Sequence, residues 1–153
     1  MKNHNQIKSI IYLVSPIILG TLIGILIPTT NYITFDKPAF APPSIVFPIV
    51  WTILYLLMGI SGWIISKEWH IKREGALNLY WIQLFINLLW SVIFFVWDLK
   101  WLAFIWILLL IYFVVQMILS FLKINKTAVY LQIPYLLWLI FAAILNFSIA
   151  IMN

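Results

Sequence analysis

No cysteine occurs anywhere in the chain, which excludes disulfides and thiolate metal sites. Charge is nearly as scarce. Nine basic and four acidic side chains make up 8% of the 153 residues, against roughly a quarter in a soluble domain. The few charges also avoid most of the chain. Five runs, 10–27, 44–66, 76–97, 101–122 and 127–152, hold no Asp, Glu, Lys, Arg or His at all. Proton relays and ion-coupled transport therefore lack their usual groups within these runs. Both histidines, His4 and His70, lie outside them, which argues against a haem held by histidine there. No acid–base pair, nucleophile triad or metal cluster can be assembled from what remains.

What fills the chain is apolar: 65% of the residues are hydrophobic. The uncharged runs are 18 to 26 residues long, and about 20 apolar residues cross a bilayer as a helix. Lipid offers backbone groups no partners, so such runs must be helical. The expected fold is an all-α integral membrane protein, a single domain over 1–153 built as a bundle of five transmembrane helices. The first run resembles the apolar core of a signal peptide. Its exit, Ile27-Pro28-Thr29-Thr30, lacks the small-residue pattern of a cleavage site, so it is expected to remain as a span.

A net charge of +5 is of the sign that nucleic acid attracts, but its distribution reads as orientation, and no nucleic-acid partner is expected. With five spans, Lys2, Lys8, Lys67, Lys72, Arg73, Lys123 and Lys126 share one side, and only Lys37 and Lys100 the other. That bias predicts a cytoplasmic N-terminus and an extracytoplasmic C-terminus. The cluster from Lys67 to Arg73 is placed to touch anionic membrane lipid.

The connections differ in kind. Asp98-Leu99-Lys100 and the stretch 123–126 are tight, so the third, fourth and fifth helices should be antiparallel neighbours. The first loop, 28–43, is long and holds four prolines with Tyr32, Phe35 and Phe40. A restricted loop of this length either covers a site as a lid or lies on the headgroups as a linker. Tryptophan is abundant. Of its nine residues, Trp63, Trp69, Trp81, Trp97 and Trp101 fall near expected membrane surfaces, where an aromatic belt accounts for them. Trp51, Trp90, Trp106 and Trp138 fall deeper.

Helical phase collects the unusual residues. Pro48, Trp51, Thr52, Tyr55, Gly59 and Gly62 share one face of the second helix. Gln83, Asn87, Trp90, Ser91 and Phe94 share a face of the third, and Pro134, Tyr135, Trp138, Ala142 and Asn146 one of the fifth. Amides facing lipid would go unpaired, so these faces should turn inward. Interhelical hydrogen bonding alone explains any single amide. Indoles and phenols beside amides on three helices also fit an apolar ligand pocket with a few convergent donors. On the first helix, Gly20 and Gly24 form a small-xxx-small pair suited to close packing, inside the bundle or between subunits.

Three segments carry a resemblance: PAFAPPSIVFPIVWTILY at 38–55, QLFINLLWSVIFF at 83–95 and IPYLLWLIFAAILN at 133–146. Together with five spans and a long first loop, they resemble the TspO/MBR family across the whole chain. That family comprises the tryptophan-rich sensory proteins of bacteria and the translocator proteins, or peripheral benzodiazepine receptors, of mitochondria. The resemblance implies a usually dimeric bundle in the bacterial cell membrane. It would bind porphyrins such as protoporphyrin IX, and isoquinoline or benzodiazepine drugs, beneath the first loop. It also implies that Trp51 and Asn87 are polar contacts to ligand, that Trp90 and Trp138 are walls, and that Ala142 gives room. Tyr32, Pro42 and Pro43 would come from the lid, with Tyr55, Ser91 and Asn146 completing the candidate site. Some bacterial members are associated with light-dependent breakdown of porphyrin, for which Trp51 and Trp138 would be the redox-active rings. The family's sterol-recognition segment ends in a basic residue after the fifth helix, whereas Ile151-Met152-Asn153 offers none. The leading expectation is a porphyrin receptor or sensor, with oxidative degradation of the ligand left open as a further activity. The alternative is a transporter of porphyrin or lipid.

Overall fold

The computed structural model describes residues 2–153, with side chains from Gln6 onward. The side chains of Lys2 and His4 lie outside the described residues. In chain order the elements are α1 (Lys2–Leu26), the short α2 (Asn31–Thr34), α3 (Val46–Lys67), α4 (Arg73–Ser91), α5 (Lys100–Leu122) and α6 (Lys126–Met152). A π-helical turn, Val92–Val96, continues α4. The described residues contain no strand. Five helices, α1 and α3 to α6, are long and apolar enough to cross a membrane.

The tight connections do make neighbours: α5 packs on both α4 and α6, and α6 also packs on α3. Asn125 caps α6 by accepting from the Thr127 and Ala128 N–H groups. Helix α1 lies outside this group, mainly against α3. Glycine makes that seam possible. A Cβ at Gly59 would collide with the Leu13 backbone carbonyl, and one at Gly20 with the Tyr55 ring. Gly62 serves α4 in the same way, since a Cβ there would come within 2.6 Å of the Tyr80 ring. Pro16 adds a polar tie. It has no N–H to offer the Tyr12 carbonyl four residues earlier. The Tyr80 hydroxyl donates to that carbonyl instead, at 2.7 Å.

The third span departs from the expected regular helix. At its end the Trp97 N–H reaches the Val92 carbonyl at 3.0 Å, one residue further back than in an α-helix. Asp98 then takes φ of 55°, and the Leu99 N–H closes on the Ile93 carbonyl at 3.1 Å. Aspartate tolerates the left-handed conformation better than most residues, so the chain reverses without glycine. The apolar period through 92–96 carries no mark of this widened turn, which explains why the sequence reads as plain helix.

Candidate functional site

A cavity of about 450 Å³ opens where α1 and α3 part beyond their glycine seam, at the end nearest the 28–43 loop. Its α1 side is Ile17, Gly20, Thr21 and Gly24. Phe47, Trp51 and Tyr55 of α3 face these, and Trp90, Ser91 and Phe95 close it from α4. Thr29, Tyr32 and Ser44 bring the first loop into the wall. Gly24 has no atom within 4 Å of where a Cβ would stand, so its face of α1 is open.

The aromatic wall is ordered by ring contacts. Trp51 stacks on Tyr55 with centroids 5.4 Å apart, and Trp90 stacks on Phe94 at 5.1 Å. The Trp90 N–H donates to Asn146 Oδ1 at 3.2 Å, while Asn146 Nδ2 donates to the Lys100 carbonyl at 3.0 Å. Asn146 therefore fixes a cavity wall and the start of α5 together, without lining the cavity itself. The Trp51 N–H and the Ser91 hydroxyl have no partner among the described residues. They are free hydrogen-bonding groups of the wall beside the hydroxyls of Thr21, Thr29 and Ser44, and no charged side chain lines the cavity.

Asn87 is differently placed. It is buried, and both ends of its amide are in use: Tyr55 Oη donates to its Oδ1 and its Nδ2 donates to Tyr135 Oη, each at 2.7 Å. Tyr135 passes the chain on to Gln83 Oε1 at 2.8 Å, and Gln83 Nε2 faces the Met58 sulfur at 3.3 Å. The inward faces of α3, α4 and α6 thus meet in a polar chain that satisfies itself.

Trp138 also lies off the cavity lining. Its ring meets Phe47 at 5.9 Å and Phe141 at 5.2 Å, and Phe47 is the residue that reaches the cavity. The Trp138 indole nitrogen is buried with no partner, as are both amide atoms of Gln132 one and a half turns earlier on α6. Ala142 is buried one turn beyond Trp138. Of the loop residues, Tyr32 lines the cavity and its hydroxyl donates to the Pro42 carbonyl at 3.0 Å; burial pushes this phenol up. Pro43 stays outside the lining, its carbonyl accepting from the Val46 N–H.

The loop is tied down at several points. The Lys37 ammonium donates to the carbonyls of Tyr32, Ile33 and Phe35 at 2.8–3.2 Å. Asn153 grips Asp36 twice, accepting from its N–H at 3.1 Å and donating to its carbonyl at 2.8 Å. Asn31 donates to the Phe95 carbonyl at 3.3 Å, which joins α2 to the π-helical turn. These ties hold the segment against the helix ends beside the cavity. Sequence reasoning missed Ile17, Thr21, Phe47 and Phe95 as wall residues. A plain aliphatic or aromatic side chain in an apolar helix carries no signal of facing a void.

The described residues hold no group of three His, Cys, Asp or Glu side chains able to bind a metal. The profile of the TspO/MBR family matches residues 12–152. A tryptophan-rich protein TspO from Chlorobaculum tepidum is 39% identical over 125 residues, covering 80% of this chain and 78% of that one. Protein CrtK of Rhodobacter capsulatus is 30% identical over 145 residues, covering 94% of this chain and 91% of its own. A translocator protein of Ovis aries is 33% identical over 119 residues, covering 76% and 70%.

Proposed function

This chain belongs to the TspO/MBR family of membrane proteins, and on that premise we propose that it is a receptor for porphyrins and similar flat, apolar ligands, held in the cavity between α1 and α3. One observation carries the reading: Trp51 lines a cavity together with Tyr32, Phe47, Tyr55, Trp90 and Phe95, and its N–H has no partner among the described residues. An uncharged aromatic wall with one or two free donors suits a polycyclic core. Burying a carboxylate there would be costly, so porphyrin propionates belong at the mouth, in water. Lys37 and Lys100 stand at that end, already engaged with loop carbonyls and with Asp98.

The chemistry open to such a site is limited and specific. Porphyrin absorbs light and generates oxidising species, while the protein supplies position and a nearby oxidisable ring. Trp51 is that ring; Trp138 stands behind Phe47. Trp51→Phe should keep protoporphyrin IX affinity within about tenfold, roughly 1.4 kcal/mol, because stacking survives. Light-driven loss of porphyrin absorbance should slow strongly in Trp51→Phe and less in Trp138→Phe. Equal rates in both variants and the parent would make the protein a binding module only. Passage of porphyrin or lipid through the bundle is less favoured, since Tyr55 and the seam at Gly59 close the cavity toward the opposite end.

We also propose that the N-terminus lies on the cytoplasmic side of the bacterial cell membrane, a reading the cation bias supports. A cysteine replacing the exposed Glu74, at the start of α4, should then react with an impermeant thiol reagent only after cells are opened. Labelling in intact cells would reverse the orientation.

A further inference from the structure

The α3–α4 loop carries the two most exposed large apolar side chains of the described residues, Trp69 at 95% and Ile71 at 96%. Neither packs on anything, yet the loop that holds them is ordered. The Lys72 N–H donates to His70 Nδ1 at 3.0 Å, and the Arg73 N–H to the His70 carbonyl at 3.1 Å. Asn125 Nδ2 donates to Glu68 Oε1 at 2.6 Å, which joins the loop to the α5–α6 turn in one surface. The acidic groups here are spent: Glu74 pairs with Arg73 at 2.9 Å, and Glu68 holds Asn125. Lys72, Lys123 and Lys126 are exposed and have no ion-pair partner among the described residues. The surface is therefore cationic and studded with an indole and an isoleucine.

We infer that this surface seats anionic phospholipid headgroups, with Trp69 and Ile71 inserted among them and the unpaired lysines on the phosphates. Depth favours lipid over a soluble partner. The apolar part of α3 ends at Ser66 and that of α4 resumes at Ala76, so the loop lies within a turn or two of the hydrocarbon boundary. Indoles favour that depth, and each basic residue near an anionic surface strengthens attachment severalfold. The inference rests on the helices spanning a membrane and is independent of what the cavity binds.

The absence of cysteine makes the test direct. Trp69→Cys, carrying an environment-sensitive fluorophore, is placed in vesicles of phosphatidylcholine or of an equal mixture with phosphatidylglycerol. Quenching by headgroup nitroxide and exclusion of the neutral aqueous quencher acrylamide are expected, stronger by about threefold in the mixture and weakened by high salt. Adding Lys72→Glu and Lys126→Glu should remove the dependence on phosphatidylglycerol. A second label at Leu108, exposed on α5, should report the bilayer core. If Leu108 reads water, the membrane reading and this inference fall together. If Leu108 is in the core while acrylamide reaches position 69 equally in both lipids, this inference alone is overturned. Protection that appears in native membranes but never in vesicles also overturns it, and assigns the loop to a protein partner.

Discussion

Gly24→Phe should abolish ligand binding and leave the bundle folded. Gly24 lines the cavity, and nothing stands within 4 Å of its missing Cβ, so a phenyl ring there enters open space instead of a neighbour. The ring would not fill a 450 Å³ cavity, but it would stand between α1 and α3 in the space a flat polycycle needs. Affinity for protoporphyrin IX should fall at least about a hundredfold, roughly 2.7 kcal/mol. Stability should hold or rise, because glycine inside a helix costs about 0.5–1 kcal/mol relative to alanine. The neighbouring glycine is the control. Gly20→Ala presses its Cβ into the Tyr55 ring, whose hydroxyl is committed to Asn87, so even this small change should lower thermal stability by about 1–3 kcal/mol. Titration and melting of the two variants check both halves. Full affinity in a folded Gly24→Phe protein would place the ligand elsewhere, with the unpartnered indole of Trp138 the next candidate.

The two glycines also show how far the sequence reaches. A small-xxx-small pair announces a helix face without bulk, and packing is the obvious use of such a face. Gly20 is used that way. Gly24, four residues on, faces the cavity because α1 and α3 diverge past Tyr55, and divergence belongs to the pair of helices, not to either one. The long helices were legible to within a few residues except at the start of α1, expected at 10 and found at Lys2, since the uncharged runs set their lengths. The expected run 44–66 became Val46–Lys67, and 127–152 became Lys126–Met152. The widened turn at Val92–Val96 was not legible, because a π-helical turn depends on local crowding that composition does not encode.

The polar faces were legible only by half. Phase put Gln83 and Asn87 on one face of α4 and Tyr135 on one face of α6, and the need to satisfy amides turned those faces inward. They do meet there. Inward orientation is demanded equally by a ligand contact and by a chain of side chains that satisfy one another, so the pattern cannot choose between them. Only the partners decide. Asn87 has two tyrosines, whereas the Trp51 N–H has none.

Asn87→Ala is accordingly expected to act on the bundle first and on the ligand second. The substitution orphans the Tyr55 hydroxyl, which has no other acceptor, and strips Tyr135 of its donor while leaving its bond to Gln83. Each buried polar group left unsatisfied costs about 1–3 kcal/mol, so a loss of about 2–4 kcal/mol in unfolding free energy is expected, visible as a lower melting temperature in detergent. Tyr55 forms the floor of the cavity and carries Trp51 stacked on it, so releasing its hydroxyl should disturb the wall and weaken porphyrin binding. A double-mutant cycle with Tyr55→Phe separates this indirect route from direct contact. Without the Tyr55 hydroxyl, Asn87 no longer positions the ring, and the further affinity loss on adding Asn87→Ala should shrink to within about twofold, roughly 0.4 kcal/mol. An undiminished loss in the Tyr55→Phe background would mean that Asn87 touches the ligand itself. The Tyr55–Asn87 hydrogen bond would then be one that the ligand breaks and replaces.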